Sequence, residues 1–255
     1  PATEHSVMCM GTKDDETGTF RRLINETYPT GIVSIVSDTW DFWKVITEYV
    51  PELKNDILNR EGKVVIRPDS GDPVKIICGD PAAEPGTPEF KGAVECLWET
   101  FGGTTTSTGY KLLDEHIGLI YGDSITLERC QAICEQLKEK GFASTNLVFG
   151  IGSYTYQYVT RDTFGFAMKA TYGEVLGEGR EIFKNPKTDS GTKKSAKGLI
   201  RLEGETGRVT GMQDQVSWEE EQTGMLKTVY KDGKLIIDQH LNDIRALLRS
   251  HTLVS

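Results

Sequence analysis

Residues 63–73 read KVVIRPDSGDP, and this stretch indicates the fold more clearly than any other part of the chain. Residues 64–66 are typical of a short buried strand, which ends at Arg67 and Asp69. Pro68 keeps Arg67 extended, and the Ser-Gly pair that follows turns the chain. A guanidinium and a carboxylate are therefore presented together where a strand meets a loop, which is how parallel α/β enzymes build active sites.

The same pattern occurs at three other places in the chain. Apolar runs at residues 31–36, 117–120 and 146–149 are typical of buried strands covered on both faces. They are followed by Ser-Asp, by Tyr-Gly-Asp-Ser and by Gly-Ile-Gly-Ser, respectively. At any single strand end, such residues also serve simply to cap helices and make turns. Four such ends, one with an arginine, favour a single catalytic edge.

The spacing of apolar residues predicts an α/β fold with a different C-terminal region. Helices are expected at 14–28, 39–50 (ended by Pro51), 91–101, 125–140 and 241–249. An exposed loop is expected at 76–90, and another after residue 101, where Gly102-Gly103 precedes a Thr/Ser run. Short strand-like pieces at 198–203, 207–211 and 226–237 predict antiparallel hairpins, with Asp232-Gly233 as one turn. We therefore expect an α/β catalytic domain at 1–172 and a C-terminal region at 173–255.

Composition excludes several classes of protein. The 255 residues carry a formal net charge of -9, which argues against a general nucleic-acid binder. No apolar run approaches the length of a membrane span, and we recognise no signal peptide. The five cysteines form no CxxC pair, which favours reduced thiols in a cytoplasmic protein. The chain starts at Pro1, so we expect an N-terminal part to be missing from it.

Phosphate handling is the chemistry that the pattern favours. Arg67 and Arg161 lie near predicted strand ends or helices, and residues 150–153 precede a helical stretch whose amides suit an anion. His5 lies where a preceding strand would end, so it could meet a phosphate or become phosphorylated, although a lone histidine is more often structural. The lysine-rich run at 185–197 is typical of a solvated loop. No P-loop or GxGxxG motif is present.

At this point the residues match a known family. The chain resembles the nicotinamide phosphoribosyltransferase family, which belongs to the type II phosphoribosyltransferases. The motifs that carry the resemblance are PATEHS (1–6), VSD (36–38), IRPDSG (66–71), GD (122–123), FGIG (149–152), TRD (160–162) and KKS (193–195). The resemblance implies part of an irregular (β/α) barrel with a small C-terminal antiparallel region.

The resemblance also implies roles for individual residues. His5 is the histidine that is phosphorylated, Asp38 and Asp69 organise magnesium-bound water and the ribose hydroxyls, and Arg67 holds phosphate or pyrophosphate. The residues implied around the ribose and its phosphates are Gly122, Asp123, Gly152, Ser153, Arg161, Lys193 and Lys194. The first two contact the ribose, the next three bind its 5-phosphate, and the lysines reach the ATP or diphosphate region.

The implied reaction joins nicotinamide to phosphoribosyl pyrophosphate, giving nicotinamide mononucleotide and pyrophosphate. Mg²⁺ is the implied cofactor, ATP stimulates through the phosphohistidine, and the partners are an N-terminal half of the same enzyme and a second subunit of a homodimer. Two alternatives stay open. One is a nicotinate phosphoribosyltransferase, and the other is a non-catalytic fragment that binds phosphoribosyl compounds.

Overall fold

The computed structural model of the chain describes residues 1–152, 157–159, 161–164, 168–188, 195–205 and 208–252. The chain forms two compact units, one from residues 1–170 and 183–195 and the other from residues 171–182 and 196–255. The chain therefore passes from the first unit to the second, returns, and leaves again. The division at residue 172 that composition suggested stays a prediction.

A parallel sheet of four strands organises the first unit. Its spatial order is β1 (Thr30–Val36), β2 (Glu61–Arg67), β5 (Ile117–Tyr121) and β6 (Leu147–Phe149). Ile35 lies opposite Ile66, and Ile66 lies opposite Leu119, so the buried apolar residues form a row across the sheet. A short antiparallel hairpin, β3 (Gly103–Thr105) with β4 (Lys111–Leu113), precedes β5. All four predicted strands are confirmed, and the α/β class with them.

Helices connect these strands and supply the rest of the core. In the first unit they are α1 (His5–Met10), α2 (Glu16–Arg22), α3 (Phe42–Lys44), α4 (Val50–Glu52), α5 (Lys54–Leu58), α6 (Pro73–Cys78), α7 (Pro88–Lys91), α8 (Ala93–Phe101) and α9 (Leu127–Glu139). Wider π-helical turns follow α2 at Leu23–Thr27 and join α3 to α4 at Val45–Tyr49. Residues three or four apart, such as Phe42, Val45 and Ile46, are fully buried, as an amphipathic helix requires.

In the described part of the second unit, the chain forms antiparallel hairpins and two helices. The hairpins are β7 (Tyr172–Val175) with β8 (Glu178–Glu181), β9 (Ile200–Glu205) with β10 (Arg208–Asp214), and β11 (Tyr230–Lys231) with β12 (Lys234–Leu235). The helices are α10 (Trp218–Glu221) and α11 (Leu241–Thr252). Asp232 and Gly233 both have positive φ, which is the backbone of a tight hairpin turn and confirms the predicted one.

Four local expectations are wrong. Pro51 lies inside a continuing helical stretch, because α4 begins at Val50 and the first residues of a helix need no amide donor. The stretch at 76–90, expected to be a loop, includes the second half of α6 and most of α7. The loop after residue 101 contains the hairpin β3–β4. Ile32 on β1 and Val148 on β6 are 61% and 56% exposed, so these edge strands are not covered on both faces.

Among the described residues, the helices are too short or too polar to cross a membrane.

Candidate active site

The parallel register of β1 and β2 brings two carboxylates to one edge of the sheet. Val36 lies opposite Arg67, and the Ser37 amide donates to the Arg67 carbonyl at 2.9 Å. The two strands therefore end side by side, and Asp38 and Asp69 each lie two residues beyond the end of their strand. The carboxyl edge of the sheet is where open parallel α/β folds bind their ligands.

His5 reaches the same edge because the chain before it follows β1. The Ser34 amide donates to the Pro1 carbonyl at 3.0 Å, and the Thr3 amide donates to the Ser34 carbonyl at 2.9 Å. The Thr3 hydroxyl then accepts a hydrogen bond from the Val36 amide at 2.9 Å. These bonds carry the chain along β1 to its end, where α1 begins at His5.

The imidazole of His5 lies between a hydroxyl and two carboxylates. Its Nδ1 is 3.1 Å from Thr39 Oγ1, whereas its Nε2 is 3.9 Å from Asp38 Oδ1 and 3.7 Å from Asp69 Oδ2. The His5 side chain is 16% exposed, that of Asp38 1% and that of Asp69 38%, so the group opens to solvent on the Asp69 side.

A hydrogen-bond network holds Asp38 in place. Its Oδ2 accepts the Asp69 amide at 2.9 Å and the Ser70 hydroxyl. Ser70 in turn lies 2.5 Å from Thr188 Oγ1, which comes from the segment that returns to the first unit. Asp38 Oδ1 and His5 Nε2 are buried without a hydrogen-bond partner among the described residues. Buried polar atoms are nearly always paired in folded proteins, so these two mark a position where a ligand group or a water belongs.

Arg67 turns from the end of β2 toward the segment that carries His5. Its Nη2 donates to the Thr3 carbonyl and lies 3.6 Å from Glu4 Oε1. The side chain is 21% exposed, and its Nε is buried with no hydrogen-bond partner among the described atoms. A guanidinium has five N–H donors, so the arginine can bind an anion while it keeps these contacts.

Tyr121 connects the end of β5 to the loop after β2. Its hydroxyl donates to the carbonyls of Ser70 and Gly71, each at 3.0 Å. Burial raises the pKa of this phenol, and the charges of Asp123, Asp38 and others add to the effect. The hydroxyl therefore stays protonated and donates at neutral pH. The negative charges of Asp123 and Asp38 both act on it.

The ends of β5 and β6 approach closely through two glycines. A Cβ atom at Gly150 would lie 2.6 Å from the Cα of Gly122, so no other side chain fits there. The Gly150 amide donates to the Tyr121 carbonyl at 2.8 Å, which holds the two strand ends together. Gly152, two residues further on, is exposed and has open space around its Cα.

Residues 185–188, predicted as part of a solvated loop, are bound to the end of β1 instead. The Asn185 amide donates to the Thr39 carbonyl at 3.1 Å, and the Lys187 amide donates to the Trp40 carbonyl at 2.8 Å. Lys187 Nζ lies 2.5 Å from Asp41 Oδ2. Residues 185–187 thus lie alongside the residues that follow Asp38. This packing places the Thr188 side chain against that of Ser70.

The sequence-predicted site residues divide into three groups. His5, Asp38, Arg67 and Asp69 come together at the edge of β1 and β2. The next group lies in the loops after β5 and β6; it consists of Gly122, Asp123 and Gly152. The last group, which lies outside the described residues, consists of Ser153, Lys193, Lys194 and the side chain of Arg161.

Sequence reasoning missed three residues of this edge, which are Thr39, Tyr121 and Thr188. Thr39 directly follows Asp38, and its position after a strand end was the available signal. Tyr121 ends an apolar run and was taken only as part of the strand end. Thr188 is 118 positions from Ser70, and no local pattern indicates a contact over that separation.

Within the described part of the chain, no three His, Cys, Asp or Glu side chains are arranged to hold a metal ion by themselves. Asp38 and Asp69 nevertheless offer the oxygen atoms that Mg²⁺ prefers. Mg²⁺ commonly binds through one or two carboxylates, with water and substrate phosphates completing its coordination.

Residues 1–234 match the nicotinate phosphoribosyltransferase (NAPRTase) family, and the chain belongs to that family.

Three relatives bear the name nicotinamide phosphoribosyltransferase. The protein of Acinetobacter baylyi is 63% identical over 254 residues, which are 97% of this chain and 50% of the relative. That of Mycoplasma pneumoniae is 42% identical over 197 residues, which are 77% of this chain and 43% of the relative. That of Xanthomonas campestris pv. campestris is 32% identical over 254 residues, which are 96% of this chain and 51% of the relative. The chain thus spans about half the length of these relatives.

Proposed function

We propose that the protein containing this chain is an enzyme that transfers phosphoribosyl from phosphoribosyl pyrophosphate to nicotinamide. The products are nicotinamide mononucleotide and pyrophosphate. The observation that carries the proposal is the cluster of His5, Asp38, Asp69 and Arg67 at one sheet edge. The names of the three relatives support the choice of base.

The charges at this edge suit the proposed reaction. Positive charge develops on the ribose as the bond to pyrophosphate breaks. The negative Asp38 and Asp69 carboxylates stabilise this charge. Arg67 holds the phosphate side of the substrate, where its guanidinium balances the charge of the leaving group. The nicotinamide ring nitrogen is already nucleophilic, so the base needs only orientation.

Mg²⁺ is the cofactor that we propose for this edge. When bound, it neutralises the charge of the pyrophosphate. The side chains that would hold it are Asp69, which is 38% exposed, and Asp38, whose Oδ1 has no hydrogen-bond partner among the described residues. Two carboxylates at one edge of the sheet would suit a divalent cation, which would supply positive charge beside the phosphates.

ATP is proposed as a second substrate that phosphorylates His5. The Nε2 atom is buried without a hydrogen-bond partner among the described residues, and it lies 3.7 Å from Oδ2 of Asp69, whose side chain is 38% exposed; we propose that the phosphoryl group approaches from the side of Asp69. His5→Ala is expected to abolish the stimulation by ATP and to keep some basal synthesis. Full stimulation in that variant would exclude His5 as the phosphorylated residue.

The wider architecture is also part of the proposal. The exposed Ile32 and Val148 lie on the two edge strands of the sheet, which supports an irregular (β/α) barrel completed by further strands. A homodimer and a cytoplasmic location complete the proposal. The location is supported by the free thiols of the five cysteines, whose sequence positions are Cys9, Cys78, Cys96, Cys130 and Cys134.

Product formation tests the proposal. The full-length protein is given phosphoribosyl pyrophosphate, Mg²⁺ and either nicotinamide or nicotinate, with and without ATP, and the mononucleotide is measured by chromatography. We expect nicotinamide mononucleotide as the main product. A clear preference for nicotinate, which the matched family's description makes the second candidate, would overturn the choice of base. Tight binding of phosphoribosyl pyrophosphate with no product would favour a non-catalytic protein.

A further inference from the structure

The Asp38 carboxylate is held through one of its two oxygens. Its Oδ2 accepts the Asp69 amide at 2.9 Å and the Ser70 hydroxyl. Its Oδ1 lies 3.9 Å from His5 Nε2 and has no hydrogen-bond partner among the described residues. The terminal torsion of an aspartate is intrinsically broad, and both oxygens turn together about it. The contacts at Oδ2 therefore decide where Oδ1 points.

The Ser70 side chain has to keep one rotamer to make its contact with Asp38. Its backbone is fixed from another direction, because the Tyr121 hydroxyl donates to the carbonyls of Ser70 and Gly71, each at 3.0 Å. These bonds leave the side-chain torsion of Ser70 free, and a serine has three staggered positions for its hydroxyl. The second contact of that hydroxyl is Thr188, whose Oγ1 lies 2.5 Å from Ser70 Oγ.

Thr188 is itself held by contacts that do not involve the site carboxylates. The Lys187 amide donates to the Trp40 carbonyl at 2.8 Å, and Lys187 Nζ lies 2.5 Å from Asp41 Oδ2. The Thr188 carbonyl lies so close to Gly71, whose φ is +87°, that a Cβ atom there would be 3.2 Å from it. A β-branched side chain also has few rotamers, so the Thr188 hydroxyl has a well-defined position.

We propose that Thr188 is a positioning residue for phosphoribosyl transfer: it keeps Ser70 in the rotamer that holds Asp38 Oδ2, and thereby keeps Oδ1 directed toward His5 and the substrate. The inference rests on the proposed function, in which Asp38 stabilises the positive charge of the ribose. It does not depend on which of the two hydroxyls donates, because either direction holds the same Ser70 rotamer. Thr188 acts only through Ser70.

Removal of one hydroxyl tests this role in the full-length protein. Thr188→Val keeps the shape of the side chain, and we expect kcat/KM for phosphoribosyl pyrophosphate to fall roughly tenfold as the carboxylate loses its fixed direction. Thr188→Ser restores the hydroxyl and is expected to stay close to the wild type. The matched control is the exposed Thr104→Val on β3, which should keep the wild-type kcat/KM, and thermal unfolding checks that each variant is folded.

A double-mutant cycle with Ser70→Ala distinguishes positioning through Ser70 from a general structural effect. If Thr188 acts only through Ser70, Thr188→Val adds no further loss once Ser70→Ala is present. Losses that multiply in the double variant would overturn the proposal. So would a folded Thr188→Val variant with the wild-type kcat/KM.

Isothermal titration calorimetry with phosphoribosyl pyrophosphate and Mg²⁺ separates this inference from the proposed function. If the wild type binds the compound but forms no mononucleotide, the proposed function fails, and the same cycle in binding affinity decides the role of Thr188. Non-additive affinities would then support positioning through Ser70, and additive ones would overturn it. If the wild type neither binds nor reacts, both the function and the inference fail.

Discussion

At the scale of single residues, Glu16 is an unusual buried acid of the first unit. It begins α2, is 3% exposed, and its Oε1 has no hydrogen-bond partner among the described residues. Burial raises its pKa from 4.5 to about 8, and the nearby charge of Asp41 adds to the rise, whereas Lys44 opposes it. Glu16 is therefore mainly protonated in the folded protein at neutral pH.

The raised pKa of Glu16 predicts a loss of stability as pH increases. Between the unfolded pKa of 4.5 and the folded pKa of about 8, only the folded state keeps the proton, so folding is favoured less as pH rises. The slope is about 1.4 kcal/mol per pH unit. Glu16→Gln removes this dependence, so between pH 6 and 7.5 the variant is expected to gain about 2 kcal/mol relative to the wild type.

Urea unfolding at both pH values measures this difference, with the exposed Glu26→Gln as the matched control. The control should follow the wild type at each pH. Parallel pH dependence in the wild type and Glu16→Gln would show that Glu16 is ionised in the folded protein.

Among the residues of the site, the sequence predicted those that lie next to a recognisable strand and missed a contact between residues far apart in the chain. His5, Asp38, Arg67 and Asp69 each follow or precede a recognisable strand, so their meeting at one edge could be expected. Thr188 is placed by backbone hydrogen bonds from residues 185–187 to the end of β1, which join parts of the chain far apart in sequence. Such contacts depend on tertiary packing and leave no local pattern.

At the scale of elements, the junction of β5 and β6 depends on two glycines. A methyl group at Gly150 would overlap the backbone of Gly122, so Gly150→Ala must push the two strand ends apart. We expect a loss of about 1–3 kcal/mol in the free energy of unfolding, as for other overpacked positions. Gly152→Ala, where a Cβ meets open space, should change stability by less than about 0.5 kcal/mol.

Thermal and urea unfolding of the two alanine variants compare these positions directly. Equal stability of Gly150→Ala and Gly152→Ala would mean that the strand ends do not approach as the structure shows.

The elements that were predicted well are those with strong periodicity. The apolar runs of β1, β2, β5 and β6 and the amphipathic pattern of α9 specify their structure locally. Pro51 misled the prediction because the π-helical turn Val45–Tyr49 leads into α4, in whose first turn a proline is tolerated. The hairpin β3–β4 was missed because its strands are only three residues long.

At the scale of the whole molecule, the chain spans about half the length of the relatives compared above. The share is 50% for the Acinetobacter baylyi protein, 43% for that of Mycoplasma pneumoniae and 51% for that of Xanthomonas campestris. The described residues provide the carboxylates, the histidine and the arginine that suit a phosphoribosyl group. They show no base pocket among the contacts of this edge.

The central claim is that the edge formed by β1 and β2 is the active site, and Arg67 tests it most directly. The measurement is kcat/KM for nicotinamide mononucleotide formation by the full-length protein and its Arg67→Ala variant. We expect a loss of roughly 100-fold, about 3 kcal/mol, because a charge-assisted contact to phosphate is removed. Arg67→Lys, which keeps the charge but not the fork of donors, should lie between them.

The exposed Arg22→Ala is the matched control for the loss of a positive charge, and thermal unfolding checks that each variant is folded. We expect the control to keep the wild-type kcat/KM, whereas that of Arg67→Ala falls roughly 100-fold. A folded Arg67→Ala variant with wild-type kcat/KM would contradict the central claim and move the active site away from this edge.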